Sequence, residues 1–246
     1  MREDLIAPGV VALDFDRAPR GNSLTVELVE SLLSALPRIA DDHDIHTLVL
    51  RPRGSHFCTG FDLSDLDRQS DGDLLHRFVR VEQLLNALWH APLRTVACAR
   101  GRTWGAGADL FAACDVRAAD PGTSFSFPGA QFGLVLGSRR LAERVGVDRA
   151  RAWITQGVNL GAADAVQAGL VTDLVAGGGE EDRWLAALCA PPAVDRATAA
   201  AIRAATRGTD RDDGDLAALV RSAATPGLKS RIEGYRARVL AAAQSR

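Results

Sequence analysis

An α/β fold over residues 1–177, followed by a helical region over 178–246, is predicted by three features of the chain. Short β-branched and apolar runs alternate with stretches of helical period. Glycine and proline clusters separate them. The strand pattern then stops at Gly177-Gly178-Gly179, which makes that triplet a candidate boundary.

Taken in order, Val10 to Phe15 reads as the first strand, and Asp16 to Gly21 as a polar turn containing proline. Leu24, Val26, Leu28, Val29, Leu32, Leu33, Leu36 and Ile39 recur at helical spacing, so 24–39 is a helix. Thr47 to Leu50 is a short buried strand ended by Arg51-Pro52-Arg53-Gly54. The loop GSHFCTGFDLSDL, Gly54 to Leu66, leads to a helix over Leu74 to Trp89, which Ala91-Pro92 stops. Thr95 to Ala99 are small or β-branched residues that suit a buried strand. Asp115 to Ala119 is a further short strand, closed by the Asp120-Pro121-Gly122 turn. Phe125 to Phe127 alternates like a strand. Leu141 to Val145, Ala150 to Thr155 and Ala162 to Ala168 read as helices, and Gly169 to Val175 as a strand. Residues 181–246, rich in alanine and arginine, read as several helices.

Composition removes several function classes. The 246 residues suffice for a substantial core, and 47% hydrophobic with 24% charged residues is ordinary for a globular chain. A net charge of −2 argues against a general binder of nucleic acid or of anionic membranes. No apolar run reaches the roughly 18 residues of a membrane span, and MREDLIAPGV lacks the basic and apolar regions of a signal peptide. The expected address is therefore the cytoplasm, with no membrane partner. Cys58, Cys98, Cys114 and Cys189 show neither C-x-x-C spacing nor a histidine at a zinc-ligand interval. They are expected to be reduced, mostly buried thiols, and no metal is expected.

The chemistry is expected where Gly101, Gly105 and Gly107 bend the chain into the helix formers Ala108 to Ala113. The first turn of a helix has no intrahelical acceptors, so its N–H groups stay available to a ligand, and glycines let that ligand approach. Asp109 lies three residues after Ala106 and shares its face. An acid beside a backbone donor is the minimum needed to polarise a carbonyl and move a proton next to it. Competing motifs fail. There is no G-x-S-x-G. A dinucleotide fingerprint starting at Gly105 would need glycine or alanine at Leu110 and an acid near residue 127.

Two loops together resemble the crotonase (enoyl-CoA hydratase/isomerase) superfamily. GSHFCTGFDLSDL is similar to its G-x-x-F-C-x-G-x-D-L segment, and ARGRTWGAGADLFAACDVRAA to its G-x-x-x-G-x-G-x-E-L-x-x-x-C-D segment. Asn22-Ser23-Leu24, FPGAQFGL at 127–134 and LGAADAVQAGLVTDLV at 160–175 follow in the family's order. The resemblance implies a spiral of ββα units with a C-terminal helical trimerisation region, hence a homotrimer or hexamer. It implies an acyl-CoA or carrier-bound thioester as substrate and no cofactor beyond the coenzyme A of that substrate. The two oxyanion donors fall on the amides of Phe61 and Ala106, each worth roughly 3 kcal/mol in a dry site. The thioester-contacting stretch falls on Phe61, Asp62, Leu63 and Ser64, beside Gly105 and Gly129.

The chain also departs from the family pattern. Of the two glutamates of its hydratases, the first falls on Asp109, whose carboxyl is set back by about one 1.5 Å carbon–carbon bond. The second falls on Gly129, which cannot transfer a proton, so a water held by two acids is not expected. Gly133-Leu134-Val135-Leu136-Gly137-Ser138-Arg139-Arg140-Leu141 is three residues shorter than the usual loop, which predicts a reshaped acyl pocket. The family's frequent lysine at Ser64 is missing, and Arg17, Arg20, Arg51 or Arg53 are the candidates to meet phosphate instead. Asp109 is expected as the single acid/base of an enolate-type reaction. The alternatives are decarboxylation or other carbon–carbon chemistry, with a substrate carboxylate filling the space at Gly129, or a non-catalytic accessory subunit. Cys58, without a placed base, and His56 read as packing and loop residues.

Overall fold

The computed structural model describes residues 1–190, 193–207 and 211–244. A six-stranded sheet has the order β1 (Arg2–Ala7), β2 (Val10–Phe15), β3 (Thr47–Pro52), β4 (Arg94–Ala99), β6 (Val116–Ala119), β9 (Asp173–Leu174). Only β1 runs antiparallel, against β2; the other pairs are parallel. A smaller sheet joins β5 (Arg102–Trp104), β7 (Ser124–Ser126) and β8 (Asn159–Gly161). The chain climbs from the large sheet to the small one and back through a helix, as in β4, β5 and α3 (Ala106–Ala113). That is the expected ββα spiral. Val10, Val49 and Val96 lie on one face of the large sheet with no exposed surface, as continuous apolar parallel strands require.

Helix α1 (Val26–Asp41) is capped by Thr25, whose hydroxyl accepts from the Leu28 N–H. Helix α2 (Asp71–Trp89) opens with a reciprocal Ser70–Asp73 capping box, three residues earlier than the apolar period suggests. Three further differences from the sequence reading have physical causes. Strand β1 was not expected, because REDLIA is mostly polar; it is an edge strand and needs only one neighbour. Strands β5 and β8 have three residues each, too few to show a period. The strand expected over Gly169 to Val175 shrinks to Asp173–Leu174, since Gly169, at φ +84°, turns the chain out of α6 (Ala162–Gln167).

Between β7 and α6 lie α4 (Ser138–Val145) and α5 (Val147–Gln156), both longer at their N-terminal ends than periodicity indicates. Beyond the glycine triplet come α7 (Gly179–Leu188), α8 (Arg196–Thr206), α9 (Asp212–Ala223) and α10 (Leu228–Gln244). Of the stretch read as helical, residues 191–192, 208–210 and 245–246 lie outside the described residues. These helices do not hang free. Leu219, Ala223, Leu228 and Ile232 share one apolar cluster with Leu66, Leu74, Phe78 and Leu134 of the first part of the chain. Among the described residues, no helix is long and apolar enough to cross a membrane.

Candidate active site

Two loops meet at the start of α3. The first is anchored by Asn22, which sits buried at φ +53° and uses its whole side chain. Its amide Nδ2 donates to the carbonyls of Arg53 and His56, and its Oδ1 accepts from the Arg17 N–H. The chain then runs parallel to Leu24. The Leu24 N–H donates to the Gly60 carbonyl at 2.8 Å, and the Asp62 N–H donates to the Leu24 carbonyl at 3.2 Å. A parallel ladder uses the residues flanking the paired one, so the Phe61 N–H is turned away from this partner.

The second loop is held by the Gly105 N–H, which donates to the Ser126 carbonyl at 2.8 Å. The Ala108 and Asp109 N–H groups fold back onto the Gly105 carbonyl. Ala106 is the first residue of α3, where an N–H has no acceptor within the helix. Among the described residues, neither the Phe61 nor the Ala106 N–H donates a hydrogen bond. The loops touch where both chains use glycine. A side-chain carbon on Gly60, at φ +95°, would stand 2.9 Å from the Trp104 carbonyl oxygen and 3.5 Å from the Ala106 nitrogen. One on Gly107 would stand 2.3 Å from the Cys58 carbonyl oxygen, so α3 can start here only with glycine at its second position.

Phe61, Gly105, Ala106, Asp109 and Gly129 line one cavity of about 140 Å³, together with Leu63. Asp109 is 6% exposed, and its carboxyl accepts no hydrogen bond from a described residue. Burial, first, and then the neighbouring Glu82 carboxylate raise its pKa well above 3.8, against the opposing pull of Arg140. Behind it, Arg140 Nη2 donates to Glu82 Oε1 at 2.7 Å, and both side chains are below 5% exposed. Burial also raises Glu82, with Arg140 holding it down. Helix α4 begins against the acid: a side-chain carbon on Gly137 would stand 2.2 Å from Asp109 Oδ1.

The sequence-derived residues divide between two spaces. Asp62 and Ser64 lie in a polar cleft of about 260 Å³ with Arg17, Arg20 and Arg77. Asp62 Oδ1 accepts the Ser64 N–H, which shapes the loop between cleft and cavity. Of the four arginines considered for phosphate, Arg51 and Arg53 are turned away and pair with Asp14. Cys58 lines neither space; it is fully buried and its thiol is pushed up to about 12 by burial. His56 Nδ1 accepts from the Arg102 N–H and so supports β5. Sequence reasoning did not single out Phe78, Trp104, Phe132, Ser138 and Tyr235 as cavity residues, nor the Glu82–Arg140 pair. Phe78, Glu82 and Tyr235 lie far from the motif loops in sequence, while Trp104, Phe132, Ser138 and Arg140 lie inside them at positions whose side chains the motifs leave unspecified.

Such a pocket can hold an oxygen on two preorganised N–H groups while one buried carboxyl handles a proton. The sequence profile of enoyl-CoA hydratase/isomerase matches residues 6–213. The probable enoyl-CoA hydratase echA6 of Mycobacterium tuberculosis is 34% identical over 167 residues, 67% of this chain and 66% of that protein. The fatty acid oxidation complex subunit alpha of Idiomarina loihiensis is 30% identical over 180 residues, 71% of this chain but 25% of that protein. A solved structure from Bordetella parapertussis, described as an enoyl-CoA hydratase/isomerase, superposes with a TM-score of 0.91 at 40% identity, covering 96% of this chain and 98% of that one.

Proposed function

The chain belongs to the enoyl-CoA hydratase/isomerase family, and from that premise we propose that it performs one-carboxyl enolate chemistry on an acyl thioester. The observation that carries the reading is the pair of unpartnered N–H groups, on Phe61 and Ala106, from loops that touch beside the buried Asp109. The thioester oxygen is held by these two amides, and the charge that develops on it as the enolate forms is stabilised by about 3 kcal/mol per donor. Asp109 is the acid/base. A carboxyl raised by burial is a stronger base once ionised and otherwise keeps its proton, the two properties needed to move a proton between two carbons. In a double-bond migration it removes the proton from the carbon beside the carbonyl, and the electron pair passes into the enolate. It then returns the same proton two carbons further along. No second carboxyl is needed.

Addition of water fits less well, because Gly129 leaves no second acid to hold the nucleophile. Decarboxylation fits less well too: among the described residues lining the cavity there is no lysine, arginine or histidine to receive a substrate carboxylate. The carrier, coenzyme A or a protein-bound arm, lies along Asp62 and Ser64 in the polar cleft, where Arg17, Arg20 and Arg77 stand among Glu27, Asp62 and Asp65. The test is Asp109→Asn against a panel of enoyl thioesters read by mass spectrometry. Turnover should fall by about 10²- to 10⁴-fold while thioester binding persists. Full turnover in the variant would remove Asp109 from the chemistry, and binding without any product in the parent protein would make the chain an accessory subunit.

A further inference from the structure

The acyl-thioester reading leaves the acyl group open, and the walls of the cavity narrow it. Six aromatic side chains, Phe61, Phe78, Trp104, Phe127, Phe132 and Tyr235, line this one space, in a chain that is only 5% aromatic. They come from five separate stretches, including the C-terminal helix α10, so no local motif gathers them. Phe61 and Phe78 stack at 4.1 Å and 20°, and the Arg77 guanidinium lies 4.1 Å from the Phe61 centroid. Two groups at that distance cannot share one face of a ring. Both faces of Phe61 are therefore covered, and what remains to meet a ligand is its electropositive edge. Phe132 and Tyr235 form a second pair, tilted by 50° at 5.4 Å. Ring edges complement the negative face of another ring.

Charge and size point the same way. Asp109 and Tyr235 are the titratable side chains among the described residues lining the cavity. A carboxylate on the acyl group would enter a poorly solvated space with no cation and a carboxyl already present. The volume of about 140 Å³ is close to that of an apolar cavity of about 150 Å³ that holds one benzene molecule. A long fatty chain exceeds it.

We propose that the acyl group recognised here carries a single uncharged aryl ring, joined to the thioester carbonyl directly or through a short unsaturated arm. The proposal rests on the acyl-thioester reading of the site. Calorimetric titration of the full chain with crotonyl-, benzoyl-, cinnamoyl-, decanoyl- and succinyl-CoA tests both and separates them. At least one of the two aryl thioesters should bind tenfold or more tighter than decanoyl- and succinyl-CoA. Tyr235→Ala, which removes one wall, should reduce the margin over decanoyl-CoA at least threefold while a thermal melt shows the variant folded. If crotonyl-CoA binds and neither aryl thioester exceeds decanoyl- or succinyl-CoA, the aryl assignment is overturned and the thioester site stands. If none of the five binds, the thioester reading falls and the aryl assignment with it.

Discussion

Gly60→Ala probes the meeting of the two loops, and its effect can be worked out from distances. The new methyl carbon would stand 2.9 Å from the Trp104 carbonyl oxygen, whereas a carbon–oxygen contact relaxes at about 3.3 Å. The loops must therefore part by roughly 0.4 Å, close to the tolerance of about 0.5 Å within which catalytic groups must be held. A non-glycine residue at φ +95° adds about 1–3 kcal/mol of backbone strain. That strain lowers stability, by roughly 2–4 °C in melting temperature per kcal/mol for a chain of this size. The larger loss is expected in function. If parting the loops removes one oxyanion donor, turnover falls by about 10²- to 10³-fold. Gly60 and Trp104 both line the cavity, so binding is titrated alongside turnover to separate a lost oxyanion donor from a displaced wall. Isotope-edited infrared spectroscopy of a bound ¹³C-labelled thioester gives an independent reading: the carbonyl stretch, lowered in the parent by two hydrogen bonds, should move back toward its value in an apolar solvent. A folded Gly60→Ala protein with unaltered turnover and an unaltered carbonyl stretch would refute the two-amide geometry.

Asp109 has its pKa raised above 3.8 on folding, so the folded state keeps a proton that the unfolded chain has lost. Its contribution to stability is full below that value and is eroded as pH rises toward the raised pKa. Asp109→Asn should remove the erosion, its advantage in urea melts growing from acid to neutral pH; parallel profiles would contradict the burial effect. Gly129→Glu is sterically open, since its first side-chain carbon would meet the Leu134 carbonyl oxygen at an ordinary 3.7 Å. The second carboxyl it installs should raise water addition to an enoyl thioester by roughly tenfold or more, at some cost in stability, and a folded variant with no gain would show that the missing acid is not what limits hydration. Glu82→Gln should destabilise by up to about 3 kcal/mol, because it leaves the buried Arg140 guanidinium only the Asp215 carboxylate, 3.9 Å away, as its ionic partner, while Glu82→Gln with Arg140→Met should regain most of it. A single-variant cost below about 1 kcal/mol in denaturant melts would mean that water reaches the pair.

What the sequence determined by itself was the scaffold and the two glycine-rich loops that meet at the cavity. Strands β2, β3 and β4 are uniform apolar runs, and α1 has a clear helical period, so local pattern was enough for them. Ala106 and Asp109 drew attention through the glycines within a few residues of them, whereas Phe61 came only from the family resemblance of its loop. Tertiary structure alone decided the rest. The polar edge strand β1 and the three-residue strands β5 and β8 exist only through their partners, and such partners leave no trace in local period. The cavity beside Asp109 is closed by Phe78 from α2, Phe132 from the loop before α4 and Tyr235 from α10, residues that sequence separates widely. Backbone chemistry is encoded nearby in the chain. The shape of a pocket depends on which distant side chains packing brings together.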